Sequence, residues 1–247
     1  MTAPVFLVEP QSLPAVGQGG DVRLEGAEGR HAAVVRRLRV GEALVLTDGL
    51  GRVAEGAVAA VERDGLLVTV SSSRVEPAPS PTITVVQGVP KGDRGERAVE
   101  QLVEVGVDRI VPWWAERCVT RWRGDKATKA LQHWRSTARE SGKQARRWWA
   151  AEVTGPVRSE QVAALISSAS FAVVLHESAT VPLGGLSVPD DGDIVIVVGP
   201  EGGVTDVECS EFERAGAVVV RLGPTVLRTS TAGAVAAGVV LARSRRW

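Results

Sequence analysis

The chain has 247 residues, of which 44% are hydrophobic and 23% charged, with 29 basic and 29 acidic side chains. This is ordinary globular composition, long enough for one large domain or two modest ones, and its balanced charge argues neither for nor against a nucleic-acid partner. Two distant cysteines (Cys118, Cys209) and three scattered histidines (His31, His133, His176) have no metal-ligand spacing. No apolar run reaches the ~18 residues of a spanning helix and no charged-then-apolar leader opens the chain, so the expectation is a soluble, cytoplasmic protein with no metal and no membrane partner.

In chain order, the β-rich runs 5–8, 43–46 and 66–70 predict short strands, with Asp48-Gly49 and Asp64-Gly65 as hairpin turns. One helical piece over 29–38 interrupts them, and residues 1–75 read as a small β-barrel. Three prolines within 76–81 remove backbone donors and predict an extended linker. Strand-helix alternation then begins. Strand 82–87 leads to a helix over 94–105, strand 109–111 and a long polar helix over 126–147. Strands 171–175, 194–198 and 217–222 follow, with helices starting near Asp206 and Thr229. Such alternation implies an α/β domain over 82–247 whose mainly parallel sheet is covered on both faces.

Two glycine-containing turns stand out. Ile194-Val195-Ile196-Val197 runs into Val198-Gly199-Pro200-Glu201-Gly202-Gly203, and Val218-Val219-Val220-Arg221 runs into Leu222-Gly223-Pro224. Each reads as strand, tight turn and helix, which places it at the carboxyl edge of a parallel sheet, where α/β proteins bind small molecules. Two such turns on neighbouring strands wall one pocket. Thr205 with Glu208 forms a capping box for the helix after the first turn. After the second, Thr229, Ser230 and Thr231 offer hydroxyls and helix-start amides beside Arg228. The small residues Ala232, Gly233, Ala236, Ala237 and Gly238 predict a closely packed helix. Neither turn has the lysine of a phosphate loop, and G-x-G-x-x-G and G-x-S-x-G are absent. Without a nucleophile or metal, a reactive cofactor and a positioned acceptor fit better than hydrolysis.

Between Arg117 and Arg147 lie Arg121, Arg123, Lys126, Lys129, Arg135, Arg139, Lys143 and Arg146, against Asp125 and Glu140. Trp113, Trp114, Trp122, Trp134, Trp148 and Trp149 occupy or border the same stretch. Basic side chains neutralise phosphate and flat rings stack on unpaired bases. The alternative is a solvated helix face with its tryptophans in the core or a dimer seam. A second basic group, Arg30, Arg36, Arg37 and Arg39, lies in the small domain.

GPEGG, the LG-x-x-VLRT-x-TA segment and Leu175-His176-Glu177 resemble the three cofactor loops of RsmE-type 16S rRNA methyltransferases of the SPOUT superfamily. Lys91-Gly92-Asp93-Arg94, Glu116-Arg117-Cys118, the Gln144/Arg146 region and His31 with Arg37-Leu38-Arg39-Val40-Gly41 match further stretches. The likeness runs from about Phe6 to about Val239. It implies a PUA-like β-barrel that binds RNA over 1–75, a Pro-rich linker over 76–81 and a SPOUT methyltransferase domain with a trefoil knot over 82–247. True knots are rare, so this rests on the resemblance alone. A homodimer is implied, using S-adenosylmethionine (SAM) to methylate N3 of a uridine, position 1498, of 16S rRNA in the small ribosomal subunit.

Mapped by that resemblance, the SAM pocket comprises Leu175, His176 and Glu177, then Gly199, Pro200, Glu201, Gly202 and Gly203. Leu222, Gly223, Val226, Leu227, Arg228, Ser230 and Ala232 complete it. Arg228 is the first candidate to stabilise charge on the uracil oxygens, against the alternative of a salt bridge that holds the knot. Glu201 either helps remove the N3 proton or opposes the sulfonium charge, or else is a structural carboxylate that caps its own turn. RNA contacts fall to Arg30, Arg36, Arg37, Arg39, Lys91, Arg94, Arg117, Arg121, Arg123, Arg139, Lys143 and Arg146. Thr225 stands where arginine is expected, and Ser230 where glutamate is common. Two other readings stay open: a SPOUT enzyme with a different RNA or atom as target, and a non-catalytic ribosome-assembly factor.

Overall fold

The computed structural model describes residues 3–120, 122 and 124–247. Two compact units emerge, and each is assembled from two separate stretches of chain.

The first unit comprises Met1–Ala78 and Gly142–Ala150. Its strands are β1 (Val5–Leu7), β2 (Gly20–Leu24), β3 (Ala43–Thr47), β4 (Arg52–Glu62) and β5 (Gly65–Val75), ordered β1-β3-β4-β5-β2 in one sheet. Only β1 and β3 pair in parallel; the other neighbours are antiparallel. Phe6, Leu24, Leu46, Leu66 and Val68 fill the core. At the β3–β4 turn the Asp48 carboxylate accepts from the N–H of Leu50 (2.8 Å) and of Arg52 (3.1 Å), so Asp48-Gly49 does act as turn chemistry. Helix α1 (Gly26–Arg30) continues into a wider π-type turn, His31–Val35.

The segment Gly142–Ala150 corrects the sequence-based boundary, which put it in the second domain. Its residues are tied into the first unit at five points. Lys143 Nζ meets Glu28 Oε1 at 3.0 Å, with both side chains more than 90% buried. Arg146 donates to the Ala3 carbonyl at 2.8 Å, and the Ala150 N–H donates to Gly49 at 2.8 Å. The Gly51 N–H donates to Trp148, and Trp149 Nε1 donates to the Glu76 carbonyl. These bonds satisfy polar groups that burial would otherwise leave costly.

The second unit comprises Pro79–Ser141 and Ala151–Trp247. It holds β6 (Thr82–Gly88), α2 (Arg94–Val105), β7 (Arg109–Trp113), α3 (Asp125–Gln144, whose last residues lie in the first unit's segment) and β8 (Glu152–Val153). Then follow α4 (Ser159–Ser168), β9 (Phe171–Leu175), β10 (Asp193–Val198), α5 (Asp206–Arg214), β11 (Val218–Val220) and α6 (Thr229–Arg243). All six strands are parallel, ordered β11-β9-β10-β6-β7-β8. Alternation along β6 and β10 feeds two cores. Val85 and Ile196 join Leu102 of α2, Trp134 of α3 and Ala236 of α6 on one face. Val86 and Val197 join Val162 of α4 and Phe212 of α5 on the other. Helices thus cover both faces, as the β-branched runs require of a buried parallel sheet.

Candidate active site

The carboxyl ends of β9, β10 and β11 open into one cavity of about 460 Å³. Its walls are the loops that begin at Leu175, Gly199 and Leu222, and every expected pocket residue lines it except Ser230, which sits in the first turn of α6 outside the lining. One expectation needs correcting. The two glycine turns are not on neighbouring strands, because β9 runs between β10 and β11. Leu175-His176-Glu177 at the end of β9 is therefore the wall between them.

Close backbone approach shapes the Gly199–Gly203 loop. A Cβ on Gly88, at the end of β6, would lie 2.5 Å from the Pro200 nitrogen, and one on Gly202 would lie 2.9 Å from Arg117 Cβ. Only glycine fits at either place. The capping box forms as read: the Glu208 N–H donates to Thr205 Oγ1 at 3.2 Å, and the Thr205 N–H donates to Glu208 Oε2 at 3.0 Å. Glu208 also accepts from the Glu116 N–H (2.8 Å) and the Ser159 hydroxyl (3.0 Å), so the cap anchors the turn after β7 that carries Arg117. Arg117 in turn donates to the Gly202 carbonyl at 3.2 Å.

The third loop is chemically open. Among the described residues, the backbone groups of Leu222, Gly223, Pro224, Thr225, Val226 and Leu227 make no hydrogen bond within the chain, and all six residues line the cavity. Paired backbone is the rule in folded proteins, so this stretch offers a row of donors and acceptors to a ligand. Arg228 follows as the N-cap position of α6. Its exposed side chain lines the cavity, and among the described residues its guanidinium is held by no carboxylate. The knot-holding salt bridge weighed for Arg228 is thus not observed there.

Glu201 is already engaged. Arg94 donates to its Oε1 at 2.8 Å and the Lys91 N–H at 3.1 Å. Burial pushes its carboxyl up, but the Arg94 hydrogen bond, its own N–H and that of Lys91 outweigh this and hold it below the ordinary carboxylate value. A carboxylate so held is a poor proton acceptor. With the folded value below the unfolded one, the pair's stabilisation is present above the unfolded pKa and is lost as pH falls through the folded value. Glu201→Gln is accordingly expected to keep the wild-type inflections in a pH–rate profile taken over about pH 6–9; an inflection that vanishes in this variant would restore Glu201 as the base. Burial pushes the Cys118 thiol up and the Cys209 thiol to about 11, so neither is a ready nucleophile.

The basic residues separate into groups. Arg30, Arg36, Arg37 and Arg39 are exposed on the first unit, beside exposed Val34, Val35 and Val40. In the second unit Lys91, Arg94 and Arg117 surround the Gly199–Gly203 loop through the contacts given above, and Arg139 is exposed on α3. Lys143 is a correction: buried against Glu28, it cannot reach a phosphate. Arg146 is partly buried and bonded to Ala3. Arg121 and Arg123 lie outside the described residues. The tryptophans serve mainly as core: Trp113 is fully buried, and Trp134 meets Trp122 edge to face at 5.1 Å. Sequence reading passed over Val198, Val204 and Arg221, which also line the cavity; adjacency to the two turns was their only signal.

Residues 76–241 match the RNA methyltransferase domain, and residues 24–71 match the RNA methyltransferase PUA domain. Ribosomal RNA small subunit methyltransferase E of Mycobacterium bovis is 42% identical over 251 residues, covering 100% of this chain and 94% of the relative. The chain belongs to the ribosomal RNA small subunit methyltransferase E family. The family protein of Bacillus subtilis is 27% identical over 85% of both chains. A crystal structure of the Neisseria gonorrhoeae family protein bound to S-adenosyl methionine matches with a TM-score of 0.83 at 27% identity, over 98% of each chain. A Legionella pneumophila protein in complex with the bound cofactor SAM matches at a TM-score of 0.86 and 26% identity, over 99% of each. Among the described residues no group of three or more His, Cys, Asp or Glu is placed to hold a metal ion, and no helix is long and apolar enough to cross a membrane.

Proposed function

We propose that this family member is a SAM-dependent methyltransferase acting on N3 of uridine 1498 in 16S rRNA of the small ribosomal subunit. The observation that carries the reading is the single cavity in which three separate sequence loops meet at the sheet edge. The residues fit the cofactor. Glycine-shaped walls admit a nucleoside, and the backbone of 222–227, which makes no hydrogen bond among the described residues, suits the edge of an adenine ring. When bound, SAM supplies an electrophilic methyl group on sulfur.

The chain's own residues do the rest. Arg228 donates to a uracil carbonyl oxygen and stabilises the negative charge that develops as N3 loses its imide proton to solvent water. Glu201 holds Arg94 and the Lys91 backbone, and so fixes the Gly199–Gly203 loop instead of taking the proton. The uridine must leave its stack to enter the cavity. The same reading gives the second unit the trefoil knot of the SPOUT superfamily, the first unit a closed PUA-like barrel, and the working protein a homodimeric state in the cytoplasm. Family membership supports these features.

Exposed arginines on the first unit supply RNA affinity. Charge reversal at Arg36 and Arg39 together is expected to weaken binding to 16S rRNA and to lower the salt slope by about one per lost phosphate contact. An unchanged slope removes both from the footprint. The function itself is tested by incubating the protein and SAM with small subunits that lack the modification, or with naked 16S rRNA, and analysing the nucleosides by mass spectrometry. The expected product is 3-methyluridine in the decoding region; SAM binding without that product would overturn the assigned target.

A further inference from the structure

The central strand β6 carries a polar side chain where an apolar one would be expected. Gln87 is fully buried, facing α6. Its Nε2 donates to Thr229 Oγ1 at 2.9 Å and to the Gly88 carbonyl at 3.2 Å, and Thr229 Oγ1 donates to the Gly199 carbonyl at 2.6 Å. The orientations are mutually forced. The Thr229 hydroxyl has one hydrogen, which the Gly199 carbonyl takes, so Gln87 must present its NH₂ and not its oxygen. Both Gln87 donors are then used, and among the described residues Oε1 has no hydrogen-bond partner. Burying an amide with an unmatched acceptor is costly, and a side chain present only to fill space would be apolar.

The three bonds join the parts of the site that matter. Gly199 opens one cavity loop, and Thr229 is the first residue of α6, directly after Arg228. Gln87 belongs to the strand next to β10 at the centre of the sheet. α6 approaches this point closely because Gly233 has no side chain: a Cβ there would lie 3.0 Å from Leu102 Cδ2 and 3.6 Å from Gln87 Oε1.

We propose that Gln87 and Thr229 are positioning residues that lock the Gly199–Gly203 loop to the start of α6, and thereby fix Arg228 relative to the cofactor cavity. The inference rests on the methyltransferase reading of that cavity. Neither side chain touches the reacting atoms. They act by holding a carbonyl and a helix start in place, and misplacement of reacting groups by about 1 Å costs up to 10²-fold in rate.

The test compares Thr229→Val, Thr229→Ser and Gln87→Met with the wild-type chain, using SAM titration calorimetry, steady-state methylation of small subunits and thermal melting. Thr229→Val is expected to lose about 10- to 100-fold in kcat, to bind SAM several-fold more weakly, and to melt close to wild type. Thr229→Ser keeps the hydroxyl and is expected to recover most of that loss. Gln87→Met is expected to show the same kinetic defect as Thr229→Val without a lower melting temperature. Wild-type kinetics in Thr229→Val, or a defect that tracks melting temperature and is not rescued by serine, overturns the proposal. A wild-type chain that neither binds SAM nor methylates RNA sinks the function reading, and this inference with it. Wild-type activity beside an unaffected valine variant sinks the inference alone.

Discussion

Arg228→Ala is expected to lower methyl transfer by about 10²–10³-fold while SAM binding remains measurable, read as single-turnover methylation of small subunits beside a binding titration. The magnitude is that of removing one preorganised donor from a site where charge develops. Two structural facts single out this arginine. It lines the cavity at the N-cap position of α6, and among the described residues no carboxylate holds it. Of the nearby cations, Arg94 is paired with Glu201, and Arg117, beside the Gly199–Gly203 loop, is bonded to Gly202. Arg221 also lines the cavity with no carboxylate on it among the described residues, so the position at the start of α6 is what sets Arg228 apart. Arg228→Lys keeps the charge but loses the planar fork, so it is expected to recover only part of the rate. Full turnover in the alanine variant would remove Arg228 from the chemistry.

Lys143→Ala is expected to cost about 3–5 kcal/mol in denaturant unfolding, because it removes the cation that meets the buried Glu28 carboxylate at 3.0 Å. That is a large share of the roughly 5–15 kcal/mol that stabilises a typical domain. The pair is 3.0 Å apart with both side chains more than 90% buried, so solvent screening gives little relief. A double variant, Lys143→Met with Glu28→Leu, is expected to recover much of the loss, since apolar replacement of both partners removes the desolvation penalty. A cost below about 1 kcal/mol for Lys143→Ala would mean that the pair behaves like an exposed one.

Much of the second unit was legible because its strands are runs of valine and isoleucine that end in glycine turns, a local signal that survives folding. The residues around Gly199 and Leu222 could be grouped by chemistry alone. Their spatial order could not: nothing local says that β9 inserts between β10 and β11, since strand order is set by packing over the whole sheet. α4 escaped notice because Ser159–Ser168 is rich in serine and alanine and shows only Val162 and Ile166 as a buried stripe. The partners of Lys143 and Glu201 were not legible for a common reason. A charged residue looks the same in sequence whether it faces water or an ion partner 115 or 107 positions away. Gln87 was missed for the converse reason: beside Thr82 and Thr84 it is one more polar letter in the strand, and nothing local marks it as fully buried.

The discontinuity of the first unit has a consequence for how the protein is made. Its sheet is encoded before Ala78, but the segment from Gly142 to Ala150 that seats Lys143 on Glu28 emerges from the ribosome only after some sixty further residues. Domains commonly fold as they are synthesised, amino-terminal first. Here the nascent sheet is complete before Lys143 can be delivered to Glu28, while the beginning of the second unit is translated. An amino-terminal fragment ending at the proline-rich stretch would therefore be an unfinished object, and a stop or a frameshift anywhere before Ala150 would leave both units incomplete.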